Sequence, residues 1–159
     1  MQLLSETLQG RDPHTAGLAV LEKLYGGPLP EICRTSMGKP YFPGKTVHFS
    51  ISHTKNWVFC VLGENPVGID AEELDRDISL SLAEKILSPG ELVQYRAAQD
   101  PKRALLTFWV LKEAAGKCTG EGLRIWPNHT DFSLDDPRVQ ELDGCLVAVI
   151  EEQENRNVI

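Results

Sequence analysis

The stretch Val67-Gly68-Ile69-Asp70-Ala71-Glu72 decides how this chain is read. Val67, Ile69 and Ala71 alternate with Gly68, Asp70 and Glu72. A strand points successive side chains to opposite faces, so the three apolar residues face a core. Asp70 and Glu72 share the other face, and Gly68 leaves open space beside them. Two like charges on one strand face repel. A cation between them would relieve the repulsion, and a hard divalent cation such as Mg²⁺ prefers carboxylate oxygens. An edge strand with a solvated acidic face is the commoner source of such a pattern. The rest of the chain has to choose between the two.

Upstream, Val47-His48-Phe49-Ser50-Ile51-Ser52-His53 also alternates, with Val47, Phe49 and Ile51 on one face and His48, Ser50 and Ser52 on the other. Residues 57–62 form an apolar run that reads as a buried strand. Short connections join these two segments to the 67–72 strand, so the three read as an antiparallel meander. Further back lies a loop rich in turn formers, residues 37–44. Asp12-Pro13 pairs an N-cap with a first-turn proline and opens a helix over 14–25, ended by Gly26-Gly27-Pro28. Its apolar side is expected beneath the 47–51 strand. Residues before Arg11 read as a short helical or frayed lead-in.

Downstream the periodicity becomes helical. Ser81-Leu82-Ala83-Glu84 and Ser88-Pro89-Gly90-Glu91 both have capping-box spacing. Asp100-Pro101 starts the longest helix, over about 102–118, and Gly120 and Gly122 close it. Two further strands are expected at 131–134 and 145–150, followed by a polar tail at 151–159 that frays. The pattern predicts an α+β fold, an antiparallel sheet packed by helices, in one domain of 159 residues.

Composition narrows the possible functions. Apolar residues make up 42% and charged residues 25%, which are globular values. No apolar run approaches the roughly 20 residues of a membrane helix. No basic segment followed by an apolar run opens the chain, so a cytoplasmic protein is expected. The formal net charge of −7 disfavours broad nucleic-acid binding. Cys33, Cys60, Cys118 and Cys145 form no C-x-x-C pair and read as reduced thiols.

On the long helix, Glu113 and Lys117 are four residues apart and share a face, with Trp109 one turn earlier. Ala114, Ala115 and Gly116 let another group approach closely. Leu105, Leu106, Phe108 and Leu111 make the helix apolar nearly all round, so Glu113 needs a partner. A metal shared with Asp70 and Glu72 would supply one. Ser52-His53 at a strand end and Gly38-Lys39-Pro40 in a rigid cationic loop are each weak alone.

Read in order, these elements are Gly38-Lys39-Pro40, then Phe49-Ser50-Ile51-Ser52-His53-Thr54, then Gly68-Ile69-Asp70-Ala71-Glu72, then Trp109-x-x-Lys112-Glu113-Ala114-x-x-Lys117. Their order and spacing resemble the 4′-phosphopantetheinyl transferase superfamily, in its longer, surfactin-synthetase-activating branch. The resemblance spans roughly residues 11–149. It implies transfer of the phosphopantetheine arm of coenzyme A to a serine of an apo acyl or peptidyl carrier protein, with release of adenosine 3′,5′-bisphosphate. Asp70, Glu72 and Glu113 would then hold Mg²⁺ against the pyrophosphate. Lys117 would contact the attacked phosphate, and Glu113, directly or through a metal-bound water, would take the serine proton. His53 would bind the 3′-phosphate with Ser52 beside it, and Lys39 and Pro40 would line the adenine end. Lys112 would assist or hold the fold.

The N-terminal half (1–66) reads as abbreviated against that branch, lacking its opening strand and helix, beside an intact C-terminal half (67–150). Arg11 is a candidate for one missing cation, and self-association is a candidate for completing the pocket. The rival expectation is a catalytically impaired module of the same fold that binds coenzyme A or a carrier.

Overall fold

The computed structural model describes residues 1–122 and 130–153. In chain order the elements are β1 (Gln2–Thr7), α1 (Pro13–Tyr25), β2 (Cys33–Arg34), β3 (Pro40–Tyr41), β4 (His48–His53), β5 (Trp57–Gly63) and β6 (Val67–Glu73). After a 3₁₀ turn (Leu80–Leu82) come α2 (Ala83–Ile86), α3 (Pro89–Ala97), α4 (Pro101–Thr119), β7 (Val139–Leu142) and β8 (Cys145–Glu151). The α+β expectation holds at this level. No helix among the described residues is long and apolar enough to cross a membrane. Of the 151–159 tail, residues 154–159 lie outside the described residues.

The strands form two antiparallel three-stranded sheets, β1-β5-β4 and β6-β8-β7, and a small β2-β3 ribbon. Residues of β5 alternate between two cores, which explains why the strand is apolar throughout. Val58 and Cys60 face α1, with Val20 and Leu21. Phe59 and Val61 face the second sheet, with Val67, Ile69, Ala71, Val147 and Val149. The far side of the second sheet, through Leu146 and Ala148, packs on α4. The layers therefore run α1, first sheet, second sheet, α4. As expected, α1 lies against β4 and β5, and Gly17 sits within contact of Ile51 and Val58 side chains.

The meander expectation is half right. β4 and β5 form a hairpin, but β6 leaves the first sheet and pairs with β8. β4 and β6 still meet. Instead of a backbone ladder, the Ser50 hydroxyl accepts from the Ile69 amide and the Ser52 hydroxyl from the Ala71 amide, each at 3.1 Å. Both serines are buried. Their two-residue period matches that of the β6 amides, so side chains take over the ladder between the sheets. Glu73 ties the same seam at its end: one carboxylate oxygen accepts from the Thr54 hydroxyl and from the backbone and side-chain nitrogens of Asn56.

The N-terminal lead-in is also corrected. It is a strand, paired with β5 from Gln2 to Thr7. Leu3 packs into one core and Leu4 into the other, so both faces are covered and the usual polar alternation is missing. A strand and a helix thus precede Gly38, where the sequence predicts the helix but a helical or frayed lead-in in place of the strand.

In the tail, residues 131–134 are irregular, and the strand lies at β7 instead. Asp143-Gly144, both at positive φ, makes the tight turn into β8. The capping box at Ser88 forms in full, whereas Ser81 caps no helix and instead pairs with the Ser79 hydroxyl. All four cysteines are free; burial pushes the Cys60 thiol up to about 12.

Gly68 does not leave open space. The α4 backbone fills it: a Cβ on Gly68 would run into the Ala114 carbonyl and the Cys118 amide. Neither neighbour is a side chain that can swing away. Gly68→Ala should therefore cost about 3 kcal/mol or more in urea unfolding, the upper range for overpacking. An unfolding midpoint equal to that of the unsubstituted chain would refute this close packing.

Candidate active site

Seating α4 on Gly68 brings its Glu113 face down onto the acidic face of β6. The Lys117 ammonium donates to Asp70 Oδ1 at 2.9 Å and to the Ile69 carbonyl at 3.0 Å. Asp70 is 6% exposed, and Oδ1 also accepts from the Ser52 hydroxyl at 3.3 Å. Its second oxygen, Oδ2, is buried and lacks a hydrogen-bond partner among the described residues. The Trp109 indole N–H donates to Glu72 Oε1 at 3.2 Å, and the Arg76 guanidinium bonds the same oxygen.

The electrostatics of the three carboxylates agree in sign. Burial pushes Asp70 above the usual carboxylate range, against the pull of Lys117. Glu72 is pushed up to about 6, first by burial and then by the Asp70 charge. Glu113 is raised by burial and by Asp70. Three partly or fully desolvated carboxylates thus feel one another, and Lys117 and Arg76 compensate them incompletely.

Among the described residues, no three His, Cys, Asp or Glu side chains already surround a common point. The donor chemistry nonetheless suits a hard divalent cation. All donors are oxygens, Asp70 Oδ2 is an orphaned buried acceptor, and the net charge of the cluster is uncompensated.

Lys117 also lines a cavity of about 660 Å³ that extends from α4 past β4 and the β2-β3 ribbon to the start of α1. Lys39, Pro40, His53 and Lys117 line it as the sequence reading grouped them. Arg34 and His14 line it too, and these the sequence reading missed; no local motif marks them. No carboxylate belongs to the described lining. In a chain of net charge −7, that segregation gives the cavity a lining suited to an anionic group. The floor is apolar, with Leu18, Phe49 and Ile51. Burial lowers Lys39, whose ammonium donates to the Cys118 carbonyl at the end of α4.

Three sequence candidates sit elsewhere. Ser52 lies outside the cavity lining; its hydroxyl is spent on Ala71 and Asp70. Arg11 bonds the Leu8 and Thr7 carbonyls and Glu6, away from the cavity. Lys112 is buried and pairs at 2.7 Å with Glu91, the side chains being 1% and 0% exposed. It also donates to the Thr130 carbonyl, while Glu91 accepts from the Phe132 amide and closes the α3 capping box. Lys112 therefore ties α3 and residues 130–132 to α4. Breaking one side of such a buried pair costs about 3–5 kcal/mol.

A family model for the 4′-phosphopantetheinyl transferase superfamily matches residues 66–153, more than half of the chain. The chain belongs to that superfamily. Among curated relatives, the 4′-phosphopantetheinyl transferase gsp of Aneurinibacillus migulanus is 33% identical over 67% of this chain and 44% of its own length. The 4′-phosphopantetheinyl transferase Sfp of Bacillus subtilis strain 168 is 34% identical over 55% of this chain and 40% of its own. A holo-[acyl-carrier-protein] synthase of Cronobacter sakazakii is 44% identical over a shorter region, 36% of this chain and 51% of its own length. The chain thus spans about two fifths to half of the length of these transferases. The matched segment holds Asp70, Glu72, Glu113 and Lys117; Lys39, Ser52 and His53 precede it.

The raised carboxylates of this superfamily member have a cost that pH reveals. Folded, Glu72 keeps its proton up to about 6; its ordinary value is 4.5. Between those values the folded chain binds more protons than the unfolded one, so stability falls as pH rises through the window and stays lower above it. In metal-free buffer, Glu72→Gln should flatten that fall and raise stability near neutral pH by about 1–2 kcal/mol. Urea unfolding on both sides of the window measures it. A parallel pH dependence in the variant would show that Glu72 is not destabilised by folding.

Proposed function

We propose that this chain transfers the 4′-phosphopantetheine group of coenzyme A to a serine of an apo acyl or peptidyl carrier protein, releasing adenosine 3′,5′-bisphosphate. The observation that carries this reading is the junction at Lys117. There a cavity lined by cations, with no carboxylate among its described lining residues, meets three carboxylates that lack sufficient counter-charge. An anionic ligand and a divalent cation together would supply what each side lacks.

In this reading Asp70, Glu72 and Glu113 hold Mg²⁺. When bound, the ion neutralises pyrophosphate charge and fixes the phosphate to be attacked. The chain's own groups do the rest. The serine oxygen forms a bond to the phosphorus that carries the pantetheine arm, and the pyrophosphate P–O bond on the adenosine side breaks. Glu113 takes the serine proton; its raised pKa brings it closer to neutrality, where a general base works best. Lys117 turns from Asp70 to the attacked phosphate and stabilises the charge developing there. His53 and Lys39, with Arg34 and His14, meet the 3′-phosphate and the adenine end along the cavity, and Pro40 with the apolar floor accepts the base. Ser52 acts indirectly, holding Asp70 in register with the seam.

The rival reading, a module that binds but does not turn over, predicts ligand binding without transfer. Incubation with coenzyme A, Mg²⁺ and an apo carrier protein, followed by intact mass measurement, separates the two. The expected result is a carrier heavier by one phosphopantetheine group. Binding of coenzyme A with no mass gain on any apo carrier would favour the module. Asp70→Ala and Glu113→Ala should each slow transfer by about 10²–10³, as loss of one group stabilising the transition state does; transfer at the unsubstituted rate by both would sink the assignment.

The nucleotide end has its own test. His53→Ala should weaken coenzyme A far more than dephospho-coenzyme A, by about 1.5–3 kcal/mol, the contribution of a hydrogen bond to a charged group. Equal weakening of the two ligands in calorimetric titration would remove His53 from the 3′-phosphate.

A further inference from the structure

Arg76 stands four residues after Glu72, in the turn that leaves β6, where its own amide bonds the Glu73 carbonyl at 2.9 Å. Its guanidinium reaches back to Glu72 Oε1 and lies 5.5 Å from the centre of the Trp109 ring. The Trp109 indole N–H donates to the same oxygen. A strand, a turn and a helix thus converge on one carboxylate oxygen of the acidic cluster. The Arg76 side chain is 38% exposed, so it can swing into solvent without unpacking a core.

We propose that Arg76 is the internal counter-cation of this cluster. It holds Glu72 while no metal is bound, gives up that oxygen when a divalent cation arrives, and so sets the cluster's affinity for metal. The inference rests on the reading that Asp70, Glu72 and Glu113 hold Mg²⁺.

Arg76 and a divalent cation compete for one carboxylate. Glu72 Oε1 already serves two donors, and a divalent cation would make a third claim on the same carboxylate. A divalent cation on either oxygen would repel the guanidinium beside it, so metal binding works against the Arg76 contact and the apparent affinity drops by the fraction of chains in which Glu72 is free. Lys117 makes the equivalent contact on Asp70, but in the proposed reaction it has a phosphate to move to. Arg76 has no such second task. Its stacking on Trp109 also gives the exchange a spectroscopic reporter, because loss of a cation from the ring face changes indole emission.

The test uses the full chain and Mn²⁺ as a paramagnetic stand-in for Mg²⁺, counted by electron paramagnetic resonance without any turnover. Arg76→Met keeps an apolar stem over Trp109 and removes the charge and the hydrogen bond. It should bind Mn²⁺ roughly three- to tenfold more tightly than the unsubstituted chain, the range expected for a partly exposed ion pair. In a parallel titration, Mg²⁺ should change tryptophan emission in the unsubstituted chain but not in Trp109→Phe. Arg76→Gln serves the same purpose if the Met variant does not fold.

Unchanged or weaker Mn²⁺ binding by a folded Arg76 variant overturns the inference and leaves the metal site standing. No Mn²⁺ bound by the unsubstituted chain overturns the metal reading itself, and the inference with it.

Discussion

The bare backbone of Gly68 governs how the rest of this molecule is assembled. α4 seats so closely on β6 that its own carbonyl and amide groups occupy the space a side chain would need. At that separation, side chains two turns apart on the helix reach residues two apart on the strand. Trp109 meets Glu72, and Lys117 meets Asp70. A larger residue at 68 would lift the helix and open every one of these contacts. A second close approach lies at the helix end, where an added Cβ on Gly116 would lie 2.7 Å from the Gly122 backbone.

A second constraint fixes the cluster from the other side. The seam between the sheets is held by serine hydroxyls instead of a backbone ladder. Because Ser52 serves both the Ala71 amide and Asp70, the same side chain that joins the sheets also aims the carboxylate. Sheet assembly and site geometry are therefore coupled. The Lys112–Glu91 pair joins α4 to α3 through a buried contact of its own. Adjacent residues on one helix thus divide their labour: Lys112 is buried in the scaffold and Glu113 is turned to the site.

Charge is distributed in the opposite sense to stability. The cluster gathers carboxylates that burial and mutual repulsion push upward, while the cavity beside it gathers cations. Such a separation costs free energy, which the anionic ligand and the cation of the proposed reaction would offset. This is the expected signature of a site kept for function at the expense of the fold.

The sequence alone placed the candidate residues on shared faces. The period of two placed Asp70 and Glu72 on one face, the period of four placed Glu113 with Lys117 and Trp109, and the turn chemistry at Asp12, Ser88 and Asp100 marked three helix starts. These are local regularities, set by backbone geometry over a few residues. What it could not carry was partnership between distant segments. Strand β1 hid because both its faces are covered, which erases alternation. β6 was assigned to the wrong sheet because a short turn says nothing about where the next strand pairs. Arg34 and His14 join the cavity only because α1 and the β2-β3 ribbon converge there, and Arg76 reaches Glu72 only because a turn folds it back. Ser52 bonds Asp70 and the Ala71 amide only because β6 packs against its strand. In each case the deciding contact spans the fold, and such contacts depend on which faces pack together, a property of the assembled layers that no local pattern encodes.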